Sequence, residues 1–267
     1  MTREYVLAIA QREFETVFRT RLLVLLSVGF VGLVAGVAWL DPTPAYLALS
    51  FDLLTPMEAL VPVLAFAFGY RSLLGDRERG ELARLRTYPV DHRLYVLGVY
   101  VGRAVALLGV VLVGLAAAAL VVPLTGTESL TAVATFGTAD SPTLFLRFVV
   151  LTAAFALVAL ALALLISAAV RSTWNGLALA TGAVLALVVG IDGALVGAIT
   201  ATLPAPDLTA SLLAFSPTSA YRGLAFAFVF APGGVAVPGG PPTVIGSLAL
   251  CGWFLGALVL AGGLVRR

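Results

Sequence analysis

Seven of the fifteen residues in GDRERGELARLRTYP, Gly75 to Pro89, carry charge, in a chain that is 61% hydrophobic and only 11% charged. Arg77 with Glu81 is an i,i+4 pair and Glu81 with Arg84 an i,i+3 pair, which places them along one side of a helix, while Leu74, Leu82 and Leu85 gather on another. Pro89 stops that helix at or before Tyr88. The chemistry open to such a segment is recognition. Exposed ion pairs are individually worth well under about 1 kcal/mol, so they choose a partner and fix its register more than they add affinity. A solvated connecting loop is the plainer alternative.

Three further charges stand inside apolar runs: Glu58, Arg103 and Asp192. A charge in a bilayer costs at least about 2.5 kcal/mol unless it is paired or wet. Glu58 and Arg103 lie within about three turns of the ends of their runs and are expected to reach the interface. Asp192 stands nearer the middle and is the better functional candidate, lining a conduit or serving as the proton site of an ATP-independent carrier.

Other chemistries are excluded by what the chain lacks. A phosphate-binding loop needs its lysine on the nucleotide phosphates, and there is no lysine in the sequence. Soft metal ions favour thiolate, thioether or imidazole, but His92, Cys251, Met1 and Met57 sit on different segments, so no metal site is expected. A single cysteine forms no intramolecular disulfide. No nucleophile, base and orienter can be assembled around one histidine, so no catalytic residues are assigned and the chain is not expected to be an enzyme. The arginines flank apolar runs and alternate with acids, which argues against nucleic acid as a partner.

The elements that carry these residues follow from hydropathy. A mean hydropathy of +1.07 over 267 residues leaves too little polar surface for a soluble globule. Runs long enough for a hydrocarbon core of about 30 Å occur at Leu22–Leu40, Leu53–Tyr70, Leu94–Leu124, Leu144–Val170, Trp174–Thr200 and Ile245–Val265. Solid apolar runs must be helices, because lipid offers no partner for free backbone groups. The expected fold is an all-α integral membrane protein with six transmembrane helices. Arginines cluster before the first run, between the second and third, and at the chain end, which places both termini in the cytoplasm.

Two segments do not span. In residues 1–21, Leu7, Ala10, Phe14, Val17 and Phe18 recur at helical spacing opposite charges, as in an amphipathic helix lying in the interface. Between 201 and 244, an apolar stretch broken by Pro204, Pro206 and Pro217 leads into PGGVAVPGGPP, which suggests short re-entrant helices and a turn-rich loop on the external side. The whole chain then reads as one transmembrane domain: interfacial helix 1–21, helices in 22–70, a cytoplasmic coupling segment 71–93, helices in 94–200, the external segment 201–244, and a last helix with its cytoplasmic end in 245–267. Gly32/Gly36, Gly98/Gly102, Gly193/Gly197 and Gly252/Gly256 have the spacing that lets helix backbones approach closely.

The segment RERGELARLRTYPVDHRLYVLG resembles the connection between the second and third helices of type 2 ABC exporter permeases, where a Gly, a Glu, spaced leucines and a Pro form the helix that docks into the ATPase. The six-helix plan fits that family over nearly the whole chain. Two details are similar to the NosY-like branch, which serves nitrous oxide reductase maturation: LRTYP, ending at Pro89, and FSPTSAYRGL, Phe215 to Leu224. The chain departs from that pattern at Arg84, Arg86 and Ser216.

What the resemblance implies is specific. Asp76, Arg77, Glu78, Arg79, Gly80, Glu81, Leu82, Leu85, Tyr88 and Pro89 would form the contact with a separate ABC ATPase, which would hold the ATP and magnesium. The permease would act as a homodimer in the cell membrane. Ser216, Pro217, Tyr221 and Arg222 would dock an external copper-binding maturation protein. ATPase-driven motion would either export a small species, of which a sulfur compound is one candidate, or be transmitted to that metallochaperone. A generic exporter of drugs or lipids and the proton-coupled carrier are the alternatives.

Overall fold

A computed structural model describes residues 2–41, 45–80, 92–125, 140–190, 214–235 and 243–265. All regular structure in these residues is helical: α1 (Thr2–Arg19), α2 (Arg21–Leu40), α3 (Tyr46–Gly69), α4 (Ser72–Glu78), α5 (His92–Thr125), α6 (Pro142–Ala169), α7 (Thr173–Leu185), α8 (Pro217–Ala225) and α9 (Thr243–Val265). Two π-helical turns, Ala186–Gly190 and Phe226–Phe230, prolong α7 and α8.

Five stretches are long and apolar enough to cross a membrane: Arg21–Leu40, Tyr46–Glu78 (α3 with α4), His92–Leu124, Pro142–Ala169 and Thr243–Val265. The expected fifth of six runs, Trp174–Thr200, is described only to Gly190. The second run begins earlier than its hydropathy suggests, at Tyr46 rather than Leu53, because Ser50 and Asp52 interrupt the apolar signal without interrupting the helix. Pro56 and Pro62 lie inside α3 and remove two backbone donors, yet the helix continues through both.

α3 and α6 form the central pair, and α5 carries α1 and α2 along its flank. Their shared interior holds Leu53, Met57, Val61 and Phe68 of α3, Leu107, Val111 and Leu115 of α5, and Phe148, Phe155 and Leu164 of α6. Lipid tails are as apolar as these side chains, so close packing rather than escape from water holds such a bundle together.

Gly98 and Gly102 show how close that packing is. A methyl group on Gly98 would lie 2.9 Å from the Ile9 side chain and 3.2 Å from the Val6 carbonyl. One on Gly102 would strike the Ala10 carbonyl and approach Glu13 Cβ to 2.8 Å. Of the four glycine pairs, this one seats α1 on α5. Gly32/Gly36 and Gly252/Gly256 have no neighbours within 4 Å, and Gly193/Gly197 lie outside the described residues.

On α1, Ala10 and Val17 are buried, while Leu7 (65% exposed), Phe14 and Phe18 (54%) point away from the bundle. The stripe against α5 is Val6, Ile9, Ala10, Glu13 and Val17, with a carboxylate in its middle. Glu13 belongs to it because Arg103 waits on the facing helix.

Candidate functional site: charged junctions between helices

Among the described residues, buried ion pairs concentrate in two places, and each joins segments remote in sequence.

The first lies where α4 meets α1 and α5. Asp76 on α4 is fully buried; the Arg79 guanidinium and the Tyr95 hydroxyl of α5 both donate to it, and Arg12 of α1 reaches its two oxygens at 3.2 and 3.3 Å. Arg12 also donates to Glu13 at 3.0 Å. Glu13 in turn accepts from Arg103 of α5, with Nε–Oε2 at 2.9 Å, and Arg103 reaches on to the Phe68 carbonyl near the end of α3. The chain of contacts Tyr95–Asp76–Arg12–Glu13–Arg103 therefore ties α1, α4 and α5 together and ends on α3.

The other side of α4 is fastened to the α6–α7 corner. Ser167 Oγ accepts from the backbone N–H groups of Leu73 (3.0 Å) and Leu74 (3.1 Å), which have no carbonyl partner in the first turn of a helix. Arg77 donates to the carbonyls of Val170 (2.7 Å) and Ala168 (3.3 Å), which are left open where α6 ends. Glu78 accepts from Thr173 at the start of α7 (2.5 Å) and lies 3.6 Å from Arg71. Gly80 closes the segment at φ +72°, a left-handed conformation that a glycine adopts without strain.

The second junction is deeper. Glu58 on α3 is buried and receives a two-pronged contact from Arg222 on α8, with Nε–Oε1 at 2.7 Å. Beside it, Tyr221 is fully buried, stacks on Phe155 (4.7 Å between centroids, 9° between planes) and shares a 2.8 Å hydrogen bond with Thr152. Thr218 donates to the Leu187 carbonyl in the first π turn at 2.7 Å, and Trp253 of α9 to the Phe215 carbonyl at 2.9 Å. Glu58 stands twelve residues into α3, and Thr152 and Trp253 each ten into their helices. At 1.5 Å per residue α8 thus packs about 15–18 Å inside the ends of its neighbours.

Several sequence expectations change. Glu58 and Arg103 are buried and paired rather than exposed: Glu58 lies midway along α3, which starts seven residues earlier than read, and Arg103 meets Glu13 of α1. Asp76 is not an exposed recognition charge, since its burial leaves nothing for a partner to touch. Ser216, Pro217 and Tyr221 are buried and cannot form a docking surface, and Arg222 is engaged by Glu58. Glu81, Leu82, Leu85, Tyr88, Pro89 and Asp192 lie outside the described residues. Glu13, Arg12, Tyr95 and Ser167 were not singled out from sequence. Glu13 carried the only available signal: its 3- and 4-residue spacing from Ala10 and Val17 puts it on their face.

Such a molecule is a helical membrane domain with a short charged helix clamped at one end of the bundle, and its class, the permease component of a transporter, follows from its family. Residues 7–264 match the family described as "ABC-2 family transporter protein", and the chain belongs to that family. It is 29% identical to the probable ABC transporter permease protein NosY of Stutzerimonas stutzeri and 30% identical to the protein of the same description from Pseudomonas aeruginosa, over 97% of this chain and 97% of each relative.

Proposed function

We propose that this chain is the NosY-type permease of an ATP-driven system that serves maturation of the copper site of nitrous oxide reductase. The observation that carries this reading is the likeness to two NosY permeases across 97% of both chains. In this reading the protein spans the cell membrane six times with both termini cytoplasmic, α1 lies in the interface, and two copies form the pore-bearing unit. A separate ABC ATPase binds and hydrolyses ATP.

The ATPase docks on the segment around α4. Asp76 sets α4 against α1 and α5 from within, which holds that segment in place for the ATPase. Movement of α4 is delivered to α1 and α5 through Asp76 and to α6 and α7 through Ser167, Arg77 and Glu78. The outcome is export of a small species or a conformational signal to an external copper-binding protein.

The test is to isolate the tagged chain from its native membrane in mild detergent and identify its companions by mass spectrometry. Recovery of an ABC ATPase with an external copper-binding protein supports the full reading. The ATPase alone reduces it to a general exporter, and an intact preparation without any ATPase overturns it.

A further inference from the structure

A cavity of about 540 Å³ opens between α1, the start of α2 and the α3–α4 corner. Its lining includes the arginines Arg12, Arg71, Arg79 and Arg103 with a single carboxylate, Glu13. Two carboxylates just outside that lining, Asp76 and Glu78, hold Arg12, Arg79 and Arg71, while the side chains of Arg71 and Arg79 stay more than half exposed. The ion pairs fix where the guanidiniums sit, so a bound anion would meet an already ordered site. Guanidinium presents planar, paired donors suited to phosphate oxygens.

Apolar surface begins at the rim. Leu22 and Leu23 line the cavity, and the exposed side of α2 continues through Leu22, Leu25 and Val28, all more than 60% exposed. On α1, Phe18 is exposed close to the lining residues Thr16 and Thr20. A charged pocket opening onto an apolar helix face matches an amphiphile with an anionic head and hydrocarbon tails. It does not match a small hydrophilic anion or an acidic peptide, neither of which has a use for the apolar stripe.

We propose that this cavity binds the phosphate headgroup of an anionic phospholipid, with the acyl chains lying along Leu22, Leu25 and Val28. Basic pockets between membrane helices near the leaflet surface are suited to such headgroups. Because Arg12, Arg79 and Arg103 belong to the network that holds α1 to α4 and α5, an occupied site stabilises that junction, and binding and junction stability are linked.

The experiment uses the full chain, purified and stripped of lipid in neutral detergent, then titrated with dioleoyl-phosphatidylglycerol, dioleoyl-phosphatidylcholine or inorganic phosphate. Binding is read by native mass spectrometry and by the shift in melting temperature. Phosphatidylglycerol is expected to bind and stabilise in a saturable way, and phosphatidylcholine to bind at least about fivefold more weakly. Arg71→Gln and Arg79→Gln, which alter the more exposed arginines, are each expected to weaken phosphatidylglycerol about fivefold. Arg147→Gln, which alters an arginine that donates to the Phe228 carbonyl far from the cavity, should leave it unchanged. The melting temperature without lipid shows that each variant is folded. Equal binding of the two lipids, or unchanged binding in both cavity variants, overturns the proposal. Saturable stabilisation by inorganic phosphate as strong as that by phosphatidylglycerol assigns the site to free phosphate and overturns the lipid.

Discussion

Arg222 and Glu58, 164 residues apart in sequence, meet midway along α3 in a two-pronged ion pair that anchors α8 in the bundle. The Glu58 side chain is 5% exposed and that of Arg222 48%, so the acid bears most of the desolvation. Glu58→Gln and Arg222→Gln should therefore be unequal. Loss of Arg222 strands a buried carboxylate, the larger fault, at about 3 kcal/mol, whereas Glu58→Gln still leaves the half-exposed Arg222 an amide oxygen as acceptor. A double-mutant cycle by unfolding in mixed micelles should return a coupling of about 1–3 kcal/mol. Additive single effects would mean that the two residues do not act as a pair.

Asp76 predicts a different pattern, because Arg12, Arg79 and Tyr95 share it. Tyr95→Phe removes one hydrogen bond to a charged, buried acceptor, a loss of about 1.5–3 kcal/mol. Asp76→Asn keeps the shape and removes the charge that all three donors use, so it should cost more than Tyr95→Phe. Adding Tyr95→Phe to Asp76→Asn should cost little further. Stability of the three variants by the same micelle titration decides it, and strict additivity would contradict a shared hub.

The helical membrane fold was legible because its signal is long. An apolar run of twenty residues has few other solutions, and the α2, α5, α6 and α9 boundaries fall within about two residues of the runs read by hydropathy. Shorter signals failed for identifiable reasons. Asp52 hid the start of α3, which made Glu58 look close to a helix end when it is central. In α1 the apolar pattern of Leu7, Phe14 and Phe18 was legible, but not the second face, where the smaller Ala10 with Glu13 packs on α5, since Gly102 leaves room for close approach and Arg103 supplies a charge. Pairings such as Asp76 with Arg12 depend on which helices become neighbours, and no local spacing encodes that.

The seat of α1 can be tested at Gly102. A β-carbon there collides with the Ala10 carbonyl, which belongs to backbone and cannot swing aside. Gly102→Ala should destabilise the α1–α5 contact by about 1–3 kcal/mol and raise protease cleavage within α1. Gly32→Ala, at a position with open space around it, should remain within about 0.5 kcal/mol of the parent. Similar behaviour of the two variants would show that α1 does not rest on Gly102.

Ser167 offers the most local test of how α4 is held. Its Oγ is the acceptor for the N–H groups of both Leu73 and Leu74, and all three residues are buried, so water cannot replace it. Ser167→Ala leaves two orphan donors and should cost about 1–3 kcal/mol, with the loss centred on α4, whose first turn those two bonds hold. Hydrogen exchange at the Leu73 and Leu74 amides reads this directly. Both should exchange faster in Ser167→Ala, while amides in the middle of α6 keep their protection. Faster exchange throughout α6 would mean that Ser167 supports its own helix and that the fastening of α4 lies elsewhere, at Arg77 and Asp76. The distinction bears on coupling: Ser167 and Arg77 both fasten α4 to the end of α6, and weakening the Ser167 bonds should loosen α4 against α6 while leaving the bundle folded.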